Sequence, residues 1–149
     1  MRIEIVSGDL LDAFDKGEVN VIGHVVNCQH KMNSGIAKSI RKRYPQVYDF
    51  YMETDCQLGL CKSIGWGCRA VCNLYAQDNY GYDGKRYLSY PALAESLSRM
   101  SKHVVDGDSS IGFPYKMGSD SDRAGGDWDI VLEMVEFYFK DHNVRIYKL

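Results

Sequence analysis

With 149 residues, 45% hydrophobic and 26% charged, the chain has the make-up of one ordinary globular domain. It is long enough to bury roughly 70% of its unfolded surface without disulfide staples or a structural metal. Lys plus Arg number 18 against 20 Asp plus Glu, a net charge of −2 with no long run of one sign, which argues against a broad electrostatic grip on duplex nucleic acid.

No stretch reaches the ~20 apolar residues of a membrane span, and Met1-Arg2-Ile3-Glu4-Ile5 is a charged alternating strand rather than a signal peptide. The chain is therefore expected in the cytoplasm. Five cysteines, Cys28, Cys56, Cys61, Cys68 and Cys72, form an odd set without a C-x-x-C pair, which suits free thiols in a reducing compartment. A zinc set drawn from His24, Cys28 and His30 matches no usual ligand spacing, so no metal is expected.

Arg2 to Val6 alternates polar and apolar, as a strand with one wet face does. Val19 to Asn27, V-N-V-I-G-H-V-V-N, is a nearly continuous apolar run, the pattern of a central strand covered on both faces. Gly35 to Tyr44 reads as a helix, with Ile36, Ala37 and Ile40 at helical spacing, cations toward its end and Pro45 stopping it. Val47, Phe50 and Tyr51 continue a second short helix. Leu60 to Ile64 and Arg69 to Gln77 are neighbouring strands separated by a Gly65-Trp66-Gly67 turn.

Asp78 to Lys85, polar and glycine-rich, reads either as a loop over a ligand site or as a plain surface loop. Ser89 to Val105 is an amphipathic helix whose Leu93, Leu97 and Met100 form core packing. A strand from Ser109 to Pro114 follows, then a loop to Gly126 and a helix from Asp127 to Lys140 with Ile130, Val131, Met134 and Phe137 inward. The last strand is Val144 to Leu149. Such alternation builds a mainly parallel sheet with helices on both faces. No repeat or linker divides the chain, so a single domain over 1–149 is expected.

In such sheets ligands bind beyond the carboxyl ends of the strands, where loops lead into helix N-termini. One such junction is Asn27 to Ile36. Gly35 lets a ligand approach the backbone, and the amides of Ser34, Gly35, Ile36 and Ala37 at the helix start suit a phosphate. Simple capping by Asn33 or Ser34 is the other reading. The second junction, Pro114 to Trp128, is too long and too rich in Gly and Ser for a minimal connection, yet it is neither a P-loop nor a dinucleotide fingerprint. Asp120, Asp122 and Asp127 would repel a phosphate unless they face hydroxyls, water or solvent, and Asp127 also reads as a helix N-cap. His24 and Asn27 point to opposite faces of their strand. Asn27, at its carboxyl end, is placed to hydrogen-bond a sugar hydroxyl.

Taken together, these segments resemble a macro domain, the ADP-ribose-binding fold. The matching pieces are Gly8-Asp9-Leu10, His24-Val25-Val26-Asn27-Cys28 leading to Ser34-Gly35-Ile36-Ala37, Phe113-Pro114-Tyr115-Lys116-Met117-Gly118, and Ala124-Gly125-Gly126-Asp127-Trp128. The resemblance implies a three-layer α/β/α sandwich around a mixed, mostly parallel sheet of six or seven strands. The H-x-x-N-C element, Gln77 and the G-G-D-W element resemble the branch holding ADP-ribose 1''-phosphate phosphatases and terminal ADP-ribose glycohydrolases, whose small versions are common in bacteriophages and bacteria. A phage origin would put the chain in the host cytoplasm.

Carried over residue by residue, the resemblance makes Asp9 the acceptor for the adenine amino group, with Leu10 beside it. Asn27 and Gln77 fall in the ligand site, Asn27 on the ribose distal to adenine. Ser34 to Ala37 would hold the diphosphate, and Pro114, Gly118 and Ser119 would close from the other side. His24 matches a histidine implicated in the phosphatase branch, and Asp127 or Asp122 would orient or deprotonate water. No cofactor is implied. Two departures stand out: Asn33 replaces a glycine common in the first loop, and the second loop is longer and more acidic than in relatives. Lys62 lies near a lysine used by the glycohydrolases, without a firm register.

The implied activity is hydrolysis of ADP-ribose 1''-phosphate to ADP-ribose and phosphate. The alternatives are a hydrolase that removes ADP-ribose from protein or nucleic-acid adducts, and a non-catalytic ADP-ribose reader. The expected partner is thus ADP-ribose or a derivative, carried or not on a macromolecule, with no membrane and a monomeric chain.

Overall fold

The computed structural model describes residues 2–32, 35–79, 86–119 and 124–149. The order is β1 (Arg2–Ser7), α1 (Leu10–Lys16), β2 (Val21–Asn27), α2 (Gly35–Arg43), α3 (Pro45–Glu53), β3 (Cys61–Trp66), β4 (Arg69–Gln77), α4 (Tyr90–His103), β5 (Ile111–Pro114), α5 (Trp128–Tyr138) and β6 (Asn143–Lys148). The six strands form one sheet in the order β1-β6-β5-β2-β4-β3. Every pairing is parallel except β3 with β4, so the sheet is mixed and mostly parallel, as expected.

Alternating side chains divide the interior into two cores. Val21, Cys72, Leu74, Phe113, Val144 and Ile146 pack beneath α4 and α5 through Leu93, Leu97, Met100, Val131 and Val135. On the other face Ile22, Val26, Val71 and Tyr75 pack beneath α1, α2 and α3 through Leu11, Phe14, Ile40, Val47 and Tyr51. The apolar run of β2 is thus covered on both sides, which is why it reads as nearly continuous.

Four local readings need correction. Helix α1 is absent from the sequence reading although its ends are well marked. Asp9 caps it by accepting from the amides of Leu11 and Asp12, and Gly17, at φ 82, ends it. Seven residues give too few turns for periodicity to register.

Gly65 and Trp66 belong to β3 and pair with Ala70 and Arg69, so the turn sits at Gly67 and Cys68. Trp66 is held in the strand by aromatic contacts with Phe14 at 5.8 Å and Tyr44 at 5.5 Å. On α5 the inward residues are Val131 and Val135, whereas Ile130 and Phe137 are 43% and 66% exposed. Asp129, Glu133 and Glu136 form an acidic stripe along that helix, and Ile130 and Phe137 flank it, so they turn outward with it.

Finally, Cys28 and Cys56 are joined as a disulfide, their Cα atoms 5.2 Å apart, within the span a bridge requires. Cys61, Cys68 and Cys72 are free. No helix among the described residues is long and apolar enough to cross a membrane.

Candidate functional site

Because β1, β6, β5, β2 and β4 run parallel, their carboxyl ends at Ser7, Lys148, Pro114, Asn27 and Gln77 share one edge of the sheet. A cleft of about 270 Å³ opens at that edge. It is lined by Gly8, Asp9, Leu10 and Leu11 from the start of α1, by Ile36 and Ser39 from α2, and by Pro114, Tyr115, Tyr147, Lys148 and Leu149 from the strand ends. Its volume lies just under the ~300–1,000 Å³ of pockets that engulf a whole drug-sized ligand. It suits one ring system and its sugar.

Asp9 shows how the cleft is charged. Its Oδ1 caps α1, 2.8 Å from the Leu11 amide and 3.2 Å from that of Asp12. Its Oδ2 has no hydrogen-bond partner among the described residues, and remains to accept from a ligand. Across the cleft the Lys148 ammonium lies 4.9 Å from the Tyr115 ring centroid, and that ring meets Trp128 edge-on at 5.5 Å.

Asn27 stands at the next strand end, where its side chain organises the loop that follows. Its Oδ1 accepts from the Gln29 amide at 2.9 Å, and its Nδ2 donates to the Lys31 carbonyl at 3.0 Å. His30, at φ 56, turns the chain and its Nε2 lies 2.9 Å from the Thr54 carbonyl. Lys116, at φ 59, occupies the matching place after β5. Non-glycine residues in this region carry local strain and cluster at functional loops.

Past Lys116 the second loop is pinched at its base. Gly126 donates to the Gly118 carbonyl at 2.9 Å and Ala124 to that of Ser119 at 3.1 Å, while the Ser119 hydroxyl donates to the Lys116 carbonyl. Asp127 is exposed, and its Oδ1 caps α5 by accepting from the Asp129 amide at 2.8 Å. The Asp127 amide lies 2.9 Å from the Tyr90 hydroxyl.

No family model and no curated protein match the sequence. Solved structures do. The macrodomain of Mycobacterium tuberculosis DarG superposes with a TM-score of 0.79 at 20% identity, over 99% of this chain and 98% of that one. A macrodomain protein from Streptomyces coelicolor gives 0.79 at 22% identity, over 99% of each chain. The fold is that of a macro domain. Thermosipho africanus DarTG, solved in complex with ADP-ribose, carries a similar unit: TM-score 0.74 at 14% identity, over 97% of this chain and 41% of that one.

Within the macro-domain frame the anticipated residues divide into groups. Asp9, Leu10, Ile36 and Pro114 line the cleft. Gly35 and Ala37 stand with Ile36 in the first turn of α2. Asn27 and Gln77 are register partners at the same sheet edge, and Gly118 and Ser119 form the base of the second loop. Ser34 and Asp122, with Asn33, Asp120 and most of the 78–85 loop, lie outside the described residues.

His24 is elsewhere, 0% exposed inside the sheet. Its Nε2 is 2.8 Å from Asn73 Oδ1, and burial drives its pKa down to about 4. The ring is therefore neutral at physiological pH. Lys62, His24 and Asn73 occupy one row across β3, β4 and β2, with Lys62 half-buried at its end. The zinc set is dispersed, since His24 pairs with Asn73, Cys28 with Cys56 and His30 with Thr54.

Sequence reasoning missed Ser39, Tyr115, Tyr147 and Lys148 of the cleft wall. Ser39 is one turn beyond Ile36 on the same helix, so the α2 period pointed to it. The others follow only from which strands become neighbours.

Proposed function

We propose that this macro domain binds ADP-ribose through the cleft at Asp9 and hydrolyses ADP-ribose 1''-phosphate to ADP-ribose and phosphate. The observation that carries the reading is the divided carboxylate of Asp9, one oxygen spent on the cap of α1 and the other left for an exocyclic amine. Leu10 would contact the base beside it, and the amides of Gly35 to Ala37, in the first turn of α2, with that of Ser34 before them in the sequence, suit the diphosphate. Gly118 and Ser119 would flank the diphosphate from the second loop. Asn27 and Gln77, on the next two strands along the same edge, suit the ribose distal to adenine. Asp122 or Asp127 would activate the attacking water, which adds to phosphorus as the anomeric oxygen leaves with a proton.

The reader alternative has one observation in its favour: one oxygen of the Asp127 carboxylate is already spent on the cap of α5. A calorimetric titration with ADP-ribose, followed by phosphate release from ADP-ribose 1''-phosphate, separates the readings. Asp9→Asn preserves a good N-cap but replaces the carboxylate. It should weaken ADP-ribose binding by about 10-fold or more, the worth of one hydrogen bond to a charged acceptor, with the melting temperature unchanged. Asp122→Asn or Asp127→Asn should lower turnover by at least ~100-fold with affinity retained. ADP-ribose binding without phosphate release from the unmodified chain leaves a reader, unchanged turnover in both variants removes these carboxylates from the mechanism, and absence of ADP-ribose binding in the unmodified chain sinks the proposal.

A further inference from the structure

Asn27 is tied down almost entirely by its own loop. Gln29 and Lys31 supply the amides that reach its Oδ1, and the Lys31 carbonyl accepts from its Nδ2. Those partners are two to four residues away, within the same turn. The exception is Tyr51. Its ring is fully buried on α3, 5.4 Å from the His30 ring and 6.1 Å from that of Tyr75. Its one hydroxyl hydrogen is shared between the Asn27 backbone carbonyl and Asn27 Oδ1, the latter 3.1 Å away. Among the described residues, Tyr51 is the one side chain that hydrogen-bonds the Asn27 side chain from outside its loop.

This arrangement fixes which way the Asn27 amide faces. With Oδ1 receiving two backbone N–H groups and a share of the tyrosine hydroxyl hydrogen, the flipped amide would set N–H against N–H and give up all three bonds. One Nδ2 hydrogen goes to Lys31, and the second has no partner among the described residues. A primary amide held in this way presents a single, oriented donor at the sheet edge.

We propose that Tyr51 is a positioning residue for the ligand's distal ribose: without touching the ligand, its hydroxyl holds the Asn27 amide in the orientation that a sugar hydroxyl can accept from. The inference rests on the ADP-ribose reading above and assigns Tyr51 a part in it. Burial also raises the Tyr51 phenol pKa, so the hydroxyl keeps its proton throughout the neutral range.

Tyr51→Phe in the full chain removes the oxygen and keeps the ring. Calorimetry on this variant should show ADP-ribose binding weakened by about 10-fold, the scale of one lost hydrogen bond. Binding of AMP, which lacks the distal ribose, should stay within about twofold of the unmodified chain. Asn27→Ala should weaken ADP-ribose alone in the same way, and adding Tyr51→Phe to it should cost nothing further, because both act through one amide.

Equal losses for ADP-ribose and AMP would make Tyr51 a packing residue and overturn the proposal. Unchanged ADP-ribose affinity in Tyr51→Phe, or additive losses in the double variant, would overturn it too. If the unmodified chain binds no ADP-ribose, the functional reading itself falls and takes this inference with it.

Discussion

His24 brings an imidazole to the middle of the sheet with Nε2 bonded to Asn73 and Nδ1 unpartnered, as is Asn73 Nδ2. Burial holds its pKa near 4 against an ordinary 6.5. The unfolded chain therefore takes up a proton first as pH falls, and stability that is complete above pH 6.5 drains away toward pH 4. The expected loss from this residue is roughly 2 kcal/mol between pH 7.5 and 5. Urea unfolding at the two pH values should show that slope in the native chain, and a flatter one by about that amount in His24→Gln. Parallel slopes would mean that His24 is not the group that titrates. In the sequence a lone strand histidine reads more often as core than as catalyst, and its partner Asn73 comes only from the register of β2 with β4. The capping role of Asp9 goes unread together with α1, although an aspartate before Leu-Leu-Asp states it locally.

At the scale of elements, legibility follows the range of the interactions. Strand β4 and helices α2, α3 and α4 emerge within a residue or two of their expected bounds, since caps, prolines and periodicity are local signals. The α5 face is only half legible, because Ile130 and Phe137 count as apolar by type although they flank the acidic stripe of Asp129, Glu133 and Glu136 opposite Val131 and Val135. The second loop combines both cases: its glycines announce a close approach without naming the partner. For Gly126 the partner is Gly118, since a Cβ there would collide with the Gly118 carbonyl oxygen and stand 2.5 Å from Leu88 Cδ2. Backbone cannot swing aside as a side chain does, so Gly126→Ala should destabilise by ~1–3 kcal/mol. It should also weaken ADP-ribose binding, because it forces apart the base of the loop. Gly107→Ala, with nothing within 4 Å, is the control and should stay within about 0.5 kcal/mol. Equal behaviour of the two variants in thermal melts and titrations would contradict this account of the loop.

For the whole molecule, β-α-β alternation made a layered α/β sheet legible, but not its strand order or the Cys28–Cys56 bridge, which depend on contacts far apart in sequence. The sheet makes one body of two cores. Residues 21 and 22 of β2 face opposite layers, and so do 71 and 72 of β4. The central strands β2 and β4 contribute to both cores, so loss of either core loosens the sheet that carries the other. Leu97 on α4 and Ile40 on α2 are each fully buried, one in each core. Leu97→Ala and Ile40→Ala should each remove about 2–5 kcal/mol and lower the melting temperature by roughly 10 °C. Both variants should still unfold in a single step, with circular dichroism and tryptophan fluorescence changing together. A second transition in either variant, or a layer that keeps its signal after the other melts, would show that the chain comprises two units and overturn the single-domain expectation.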